Sequence, residues 1–264
     1  MIKISGYKIL EEIYESDRSL VYRGLRNQDA QPVILKVLRQ EYPTPEEIAR
    51  FKLEYEITRK LNLEGVARAY SLEKYQNSLM LILEDFGGES LNKLIINQSF
   101  LLKGFLTIAI QIVDSLGKIH QQNIIHKDIN PYNIVFNPTT GQLKIIDFGI
   151  ATVLSRENQT IRNPNVLEGT LPYMSPEQTG RMNRVMDYRT DFYSLGATFY
   201  ELLTYQLPFE STDAMELVHC HIAKQPIPPH FKRQGEPCPK AVSDIVMKLL
   251  AKTAEQRYQS AWGI

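Results

Sequence analysis

The sequence predicts an α+β fold with two lobes, a small β-rich N-terminal lobe and a larger helical C-terminal lobe. Runs of β-branched residues occupy the first third of the chain, whereas helical apolar spacing dominates from about residue 105. Strands that come before helices, rather than alternating with them, are typical of α+β folds. The 264 residues suffice for one large domain, which we expect to divide into an N-lobe over 1–85 and a C-lobe over 86–264.

The N-terminal lobe begins with three predicted strands, at 7–10, 19–23 and 33–38. The turn-forming residues 27–29 separate the last two of these strands. A fourth, buried strand is predicted at 79–83, so this lobe is expected to consist mainly of β-structure.

A helix is predicted between the third and fourth strands, at 45–61. Thr44 is a suitable N-cap, Pro45 suits the first helical position, and Glu47 completes a capping box. Glu54 lies on the otherwise apolar face of this helix, where an unpaired carboxylate is costly. The pattern therefore predicts that Glu54 meets a cation.

The rest of the chain combines helices with one hairpin. Helices are predicted at 105–120, 191–203 and 241–250 from their apolar spacing. Between the first two helices, the strands 134–136 and 142–146 flank a turn and form the hairpin. This order of elements supports the helical C-terminal lobe.

The composition is that of an ordinary globular protein, with 43% apolar and 23% charged residues. The formal net charge is zero, so no overall field favours nucleic acid or a membrane surface. The sequence shows no secretory signal and no apolar run near the roughly 20 residues that a membrane helix needs. Cys220 and Cys238 fit reduced thiols and a cytoplasmic location better than a disulfide, which the sequence leaves open.

One loop and the turn after the hairpin carry residues suited to catalysis. Asp128 and Asn133 lie between a predicted helix and the hairpin, and Asp147 follows the hairpin in the sequence Asp-Phe-Gly. Asp128 is able to accept the proton of an attacking hydroxyl, and Asn133 and Asp147 offer the hard oxygen ligands that Mg²⁺ prefers. Each residue alone would indicate only a turn, but their order and the intervening hairpin favour a shared chemical role.

These motifs resemble the catalytic loop and the metal-binding motif of protein kinases. The resemblance runs from Tyr7 to the last residue, and it implies a two-lobed enzyme that uses ATP and Mg²⁺ to phosphorylate a protein substrate. It assigns catalytic roles to Asp128, Lys36 and Asn130, and metal binding to Asn133 and Asp147. The nucleotide is expected to contact Lys36, Glu54, Val21, Glu84, Val135, Asn133 and Asp147.

Lys36 gives this interpretation independent support. It lies within the apolar strand 33–38, where a lysine alone would more often be an edge residue with its ammonium in water. Pairing it with Glu54 lowers the cost of burying either charge. In the family, this lysine holds the α- and β-phosphates and the glutamate orients it. Glu56 is the alternative partner if the register differs.

Three features depart from the family pattern. Tyr14, Ser16 and Ser19 stand where glycines usually cover the phosphates, so we expect a loop that is stiffer or is held away from them. Asn130 stands where serine/threonine kinases have a lysine directed at the γ-phosphate, and its amide is able to donate but carries no charge. Lys127 replaces an arginine, so the positive charge is kept but the planar fork of hydrogen-bond donors is lost.

Downstream segments resemble those that distinguish protein kinases from small-molecule kinases. The stretch 169–177 resembles the end of an activation segment and favours serine/threonine substrates. Glu177 and Arg257 match a structural ion pair of the family. Within the stretch 152–170, Thr160 is the predicted phosphorylation site.

The sequence leaves two functions open for this domain, and it also predicts how the whole polypeptide is organised. The missing glycines and Asn130 favour a pseudokinase, which would serve as a nucleotide-binding or scaffolding module. The retained charged residues favour an active enzyme instead. The segments 180–184 and 187–194 resemble the N-terminal kinase domain of large cyanobacterial-type hybrid proteins, in which an ATPase-like region and a histidine-kinase module follow. We therefore expect the natural polypeptide to continue into downstream domains.

Overall fold

The computed structural model describes residues 4–16, 18–97, 101–154, 168–181, 186–232 and 237–264. An antiparallel sheet and one helix form the N-terminal lobe, and helices with two small sheets form the C-terminal lobe. The predicted two-lobed α+β fold is therefore confirmed. Thr160, the predicted phosphorylation site, lies outside the described residues.

The N-terminal sheet contains β1 (Tyr7–Glu15), β2 (Ser19–Arg26), β3 (Pro32–Leu38), β4 (Ala69–Tyr75) and β5 (Ser78–Glu84). Their spatial order is β1-β2-β3-β5-β4, and each neighbouring pair is antiparallel. Val33, Leu35 and Val37 of β3 are buried on one face of the sheet. Because side chains alternate along a strand, Ile34 and Lys36 lie on the opposite face, where they line a cavity.

Helix α1 (Pro45–Leu61) connects β3 to β4 and packs against β4 and β5. The predicted capping box is confirmed, since Thr44 Oγ1 accepts from the N–H of Glu47 at 3.2 Å and Glu47 Oε2 accepts from the N–H of Thr44 at 2.8 Å. Asn62 ends the helix in the left-handed conformation, with a φ of 36°. With both ends fixed, the helix holds Glu54 on its buried face.

The helices of the C-terminal lobe pack mostly around one large apolar core, and one of them packs against a smaller cluster of Phe209, Leu217 and Cys220. They are α2 (Leu91–Asn97), α3 (Leu102–Gln121), α4 (Arg189–Thr204), α5 (Ala214–Ala223), α6 (Pro229–Lys232) and α7 (Lys240–Leu249). Helix α4 is buried along almost its whole length and contacts both α3 and α7. This central helix gives the loops that contact it a close-packed support.

Two small sheets carry the loops that contain the motifs. Strands β6 (Glu89–Ser90), β8 (Ile134–Phe136) and β9 (Leu143–Ile145) form one sheet, and β7 (Ile124–Ile125) pairs with β10 (Thr152–Val153) in the other. Strands β8 and β9 confirm the predicted hairpin. The loop that contains Asp128 connects β7 to β8, and the turn that contains Asp147 connects β9 to β10, so both loops emerge from neighbouring strands.

Strand β4 and helix α5 are two of the elements that have no counterpart in the sequence prediction. Every residue of β4 except Lys74 is half-buried, so its sequence lacks the alternation that indicates a strand. Helix α5 begins after Asp213, whose Oδ1 accepts from the N–H groups of Met215 and Glu216. That N-cap residue was a usable start signal for a short helix.

Glu177 and Arg257 form the buried ion pair that the resemblance implies. Arg257 Nη1 and Nη2 donate to Glu177 Oε1 and Oε2 at 2.6 and 2.9 Å. Arg257 Nη1 also donates to the carbonyl oxygen of Arg189, the first residue of α4, at 2.9 Å. The pair therefore ties the end of the activation segment to the central helix.

Cys220 and Cys238 are both buried, and no disulfide joins them. Within the described ranges, no helix has the combination of length and apolar character that crossing a membrane requires.

Candidate active site

A cavity of about 620 Å³ opens between the N-terminal sheet and the loops of the C-terminal lobe. Small-molecule sites commonly measure about 300–1,000 Å³. The cavity is lined by every residue to which the sequence assigns a site role, namely Val21, Lys36, Glu54, Glu84, Asp128, Asn130, Asn133, Val135 and Asp147. The fold thus brings the predicted site residues of both lobes together in one cleft.

Lys36 lies between two carboxylates in this cleft. Its Nζ atom is 2.7 Å from Glu54 Oε1 and 3.1 Å from Asp147 Oδ1. The Lys36 side chain is 12% exposed and that of Glu54 is 4% exposed, so this is a buried ion pair. The predicted pairing of Lys36 with Glu54 is confirmed, and the alternative partner, Glu56, lies exposed on α1.

The three charges determine one another's protonation. Burial opposes the charged form of Lys36, but Asp147 and Glu54 together raise the pKa of its ammonium above the usual range. Burial also opposes ionisation of Asp147, but contact with Lys36 holds its pKa below the usual value. Burial raises the pKa of Glu54 to about 7, against the attraction of Lys36. At neutral pH, Lys36 therefore stays cationic and Asp147 stays anionic.

The loop between β7 and β8 presents Asp128 to the cavity. Its Oδ1 accepts from the N–H of Thr170 at 2.9 Å, and its Oδ2 accepts from Asn133 Nδ2 at 2.9 Å. Asn133 Nδ2 also donates to the Asp128 carbonyl oxygen at 2.9 Å. Because each carboxylate oxygen has two lone pairs, Asp128 is oriented by these bonds and is still able to accept a substrate hydroxyl.

Asp191, in the first turn of α4, holds the backbone of this loop. Its carboxylate accepts from the N–H groups of His126 and Lys127 at 2.9 and 2.7 Å, and it lies 2.8 Å from His120 Nε2. Burial opposes ionisation of Asp191, but the hydrogen bond with His120 keeps its pKa below the usual value. The sequence prediction uses Asp191 only as the start of a helix, although a carboxylate among apolar helix residues was a signal for such a role.

Asn130 connects the catalytic loop to the activation segment. Its Nδ2 donates to the Asp128 carbonyl oxygen at 3.1 Å and to Thr170 Oγ1 at 3.2 Å. Its Oδ1 accepts from the N–H groups of Tyr132 and Asn133 at 2.9 and 3.2 Å. The side chain is buried and both amide hydrogens have protein partners, so a contact with a phosphate would replace one of these bonds.

The turn after β9 aims Asp147 into the cavity. Asp147 has a φ of 63°, and its Oδ1 accepts from the N–H of Gly149 at 3.1 Å. Phe148 is fully buried and packs edge-on against His126, with ring centroids 4.8 Å apart. Phe148 therefore anchors the turn, and the Asp147 side chain lies beside Lys36, where it lines the cavity.

Asn133 and Asp147 are suited to hold Mg²⁺. In phosphoryl-transfer enzymes this ion is commonly bound by one or two carboxylates together with substrate phosphates, rather than by a complete protein cage. The described residues contain no cluster of three or more His, Cys, Asp or Glu side chains that would form such a cage. The ionised Asp147, together with the amide oxygen of Asn133, whose nitrogen is turned toward Asp128, fits the first kind of site.

The hairpin between β1 and β2 borders the cavity through Tyr14 and Ser19, and it lacks the usual glycines. Ser16 Oγ accepts from the N–H groups of Arg18 and Ser19 at 3.3 and 3.0 Å. Arg39, which follows β3, donates from Nη1 to the Ser16 carbonyl oxygen at 3.1 Å and from its N–H to the Arg18 carbonyl oxygen at 2.8 Å. Tyr14 lines the cavity beneath this hairpin. These bonds tie the hairpin to β3, which is what a stiff covering loop requires.

The remaining lining residues offer an apolar slot. Val21 and Ile34 lie on the N-terminal sheet, and Val135 lies on β8. Glu84, at the end of β5, accepts from Lys144 Nζ at 2.7 Å, so its carboxylate is already held by a protein cation. Ile34 lies next to Lys36 on the face of β3 that borders the cavity, but on the opposite side of the sheet from the buried Val33 and Leu35.

Comparison with known proteins agrees with this geometry. A family model described as the protein kinase domain matches residues 7–261. The chain belongs to the protein kinase family. The five-stranded sheet and the helical lobe are therefore those of a protein kinase domain of the eukaryotic type, and the cavity lies between the two lobes of that fold.

Bacterial relatives of this kinase domain are named serine/threonine-protein kinases. It is 33% identical over 262 residues to PrkC of Bacillus subtilis, and 32% identical over 263 residues to a probable serine/threonine-protein kinase of Clostridium perfringens. It is also 29% identical over 235 residues to PknB of Mycobacterium tuberculosis. The three alignments cover 98%, 98% and 87% of the chain, but only 39%, 37% and 37% of these relatives. The chain thus spans less than two-fifths of their length.

Gly169 brings the activation segment of the kinase domain against the catalytic loop. Its φ is 112°, and an added Cβ would lie 3.2 Å from the Lys127 carbonyl oxygen. Gln178 Nε2 donates to the same carbonyl at 2.8 Å and restrains it. The next residue, Thr170, makes the bond to Asp128. Sequence reasoning does not place Thr170 in the site, although its position after the glycine of the motif was the available signal.

Proposed function

We propose that the kinase domain transfers the γ-phosphoryl group of ATP to serine or threonine hydroxyls of a protein substrate. The observation that carries this proposal is the meeting of Lys36, Glu54, Asp128 and Asp147 in one cavity. Phosphoryl transfer depends mainly on positioning and on charge stabilisation, and this cluster provides a fixed cation, a base and a metal ligand.

Each side chain has a defined task in this proposal. Lys36, kept charged and oriented by Glu54, binds the α- and β-phosphates. Asp128 aligns the attacking hydroxyl and accepts its proton. Asn133 and Asp147 hold Mg²⁺, which neutralises charge on the phosphates when it is bound. Val21, Glu84 and Val135 are assigned to the nucleotide's adenine side.

In this proposal, Asn130 is a positioning residue. Its amide bonds to the Asp128 carbonyl and to Thr170 keep the base and the activation segment together. The positive charge that a lysine usually supplies is absent, so the transition state is less well stabilised. Losing one preorganised donor typically costs about a hundredfold to a thousandfold in rate.

Serine and threonine are the proposed acceptors because the 169–177 segment resembles that branch and the relatives carry that name. The pseudokinase alternative is not favoured, since the charged residues retained in the sequence also meet in the cleft with the contacts that catalysis needs. Protein, rather than nucleic acid, is the proposed substrate.

The proposal is tested by incubating the chain with labelled ATP, Mg²⁺ and casein as a generic acceptor. We expect transfer that is abolished by EDTA and by Asp147→Ala, with turnover below the usual kinase range of about 1–100 per second. The stiff hairpin and the missing charge are the physical reasons. Tight ATP binding without any transfer would support the pseudokinase instead, and phosphotyrosine as the only product would overturn the choice of acceptor.

A second test addresses Gly169. We expect Gly169→Ala to lower kcat by about tenfold, because backbone strain of about 1–3 kcal/mol would be relieved by moving Thr170 away from Asp128. Gly141→Ala is the matched control, since Gly141 has a φ of 73° in the β8–β9 turn and an added Cβ would meet nothing within 4 Å. Equal losses of kcat in the two variants would show that strain alone, not the loop contact, is responsible.

We also propose that this kinase domain is part of a longer cytoplasmic signalling polypeptide. The support for further domains is the resemblance of 180–184 and 187–194 to hybrid kinases and the greater length of the bacterial relatives. The support for the cytoplasm is the use of ATP together with two cysteines that no disulfide joins.

A further inference from the structure

A cross-lobe ion pair lies beside the active site, between residues with no role in the reaction described above. Arg50 Nη2 of α1 is 2.8 Å from Oε1 of Glu168, which lies in the activation segment just before the 169–177 stretch. The two residues are 118 positions apart in the sequence. Their side chains are 41% and 30% exposed, so the pair is reachable by solvent.

On the α1 side, the pair acts close to the nucleotide lysine. Arg50 precedes Glu54 by one helical turn, and residues four apart share a helix face. Glu54 Oε1 is the atom that contacts Lys36 Nζ. A restraint on Arg50 therefore fixes the turn of α1 that sets the position of Lys36.

On the activation-segment side, the pair acts close to the catalytic base. Glu168 is followed by Gly169, which packs against the carbonyl of Lys127, and then by Thr170, whose N–H donates to Asp128. Only one residue, Gly169, separates Glu168 from Thr170. A shift of Glu168 therefore transmits to the bonds that orient Asp128.

We propose that Arg50 and Glu168 are positioning residues that couple the nucleotide-binding lysine of one lobe to the catalytic aspartate of the other. The inference rests on the proposed kinase function. A partly exposed ion pair contributes little to the free energy of unfolding. The pair instead affects geometry, because it joins the helix that positions Lys36 to the segment that orients Asp128.

The test is a charge-swap cycle in the 264-residue chain. Arg50→Glu, Glu168→Arg and the double variant Arg50→Glu/Glu168→Arg are compared with the wild type for kcat and for KM of ATP. We expect each single variant to lower kcat about fivefold and to raise KM about fivefold, and the double variant to recover both within about twofold. Coupling between the lobes would be indicated by a crossed effect, in which Glu168→Arg changes the KM for ATP and Arg50→Glu changes kcat.

Lys118→Glu is the matched control, because Lys118 forms a similarly exposed pair with Asp114 on α3. Its kcat and KM are expected to remain those of the wild type. Single variants whose effects simply add in the double variant would overturn the proposal, as would effects confined to the melting temperature. If the wild type transfers no phosphate, the proposed function fails, and the dissociation constant for ATP measured over the same cycle still tests the Arg50–Glu168 coupling.

Discussion

Replacing Asp128 with asparagine is expected to lower kcat about a hundredfold to ten-thousandfold while the dissociation constant for ATP stays within about twofold. General base catalysis contributes a factor of this size. Asparagine matches the shape of aspartate but is not a base at neutral pH, so the change removes the proton acceptor while the size of the side chain stays the same.

The contacts of Asp128 make this substitution informative. Its two carboxylate oxygens accept from the Thr170 N–H and from Asn133 Nδ2, so an asparagine is able to satisfy only one of the two donors. Steady-state kinetics and ATP titration measure the two effects separately. Asp244→Asn, on an exposed pair of α7, is the control. A kcat within tenfold of the wild type would remove Asp128 from the role of base.

Replacing Lys36 with methionine is expected to weaken ATP binding about tenfold to a hundredfold. A hydrogen bond to a charged group is worth about 1.5–3 kcal/mol, and Lys36 is the cation assigned to the phosphates. The change also leaves Glu54 buried without its cation. Breaking a buried pair in this way commonly costs about 3–5 kcal/mol of the free energy of unfolding.

The loss of stability should depend on pH, because Glu54 is able to take up a proton. With Lys36 present its pKa is already raised to about 7, and without Lys36 it rises further. The unfolded value is near 4.3, so between these pKa values the native state holds a proton that the unfolded state has released. The free energy of unfolding therefore falls as pH rises through this window, by up to about 1.4 kcal/mol per pH unit.

Urea unfolding at pH 6 and pH 8 measures this difference. Lys36→Met is expected to lose more stability over that interval than the wild type, whose Glu54 is largely ionised above pH 7. The double variant Lys36→Met/Glu54→Gln is expected to lose most of the pH dependence. A double variant with the same pH dependence as Lys36→Met would place the titrating group elsewhere.

The features predicted correctly from sequence are those that local patterns determine. The capping box of Thr44 and Glu47 depends only on neighbouring residues, and it fixes where α1 begins. Glu54 then falls on the buried face by helical periodicity, which is why it, and not the exposed Glu56, meets Lys36. The pairing followed from the cost of burying two separate charges.

The features that sequence reasoning missed depend on contacts between distant segments. Asn130 reads from the sequence as a donor facing the γ-phosphate, but in the folded chain its amide hydrogens meet Asp128 and Thr170. Thr170 is 42 positions from Asp128, and Arg50 is 118 from Glu168. No local pattern encodes which of several exposed charges will meet after the lobes assemble.

The hairpin held by Ser16 and Arg39 has a consequence for the catalytic cycle. In many kinases a mobile cover must open before ADP leaves, and that opening limits turnover. A cover already tied to β3 has little freedom to fold down over the nucleotide and little need to lift away again. Nucleotide exchange would then be fast and independent of loop motion, which leaves the phosphoryl-transfer step itself as the slowest event in each round.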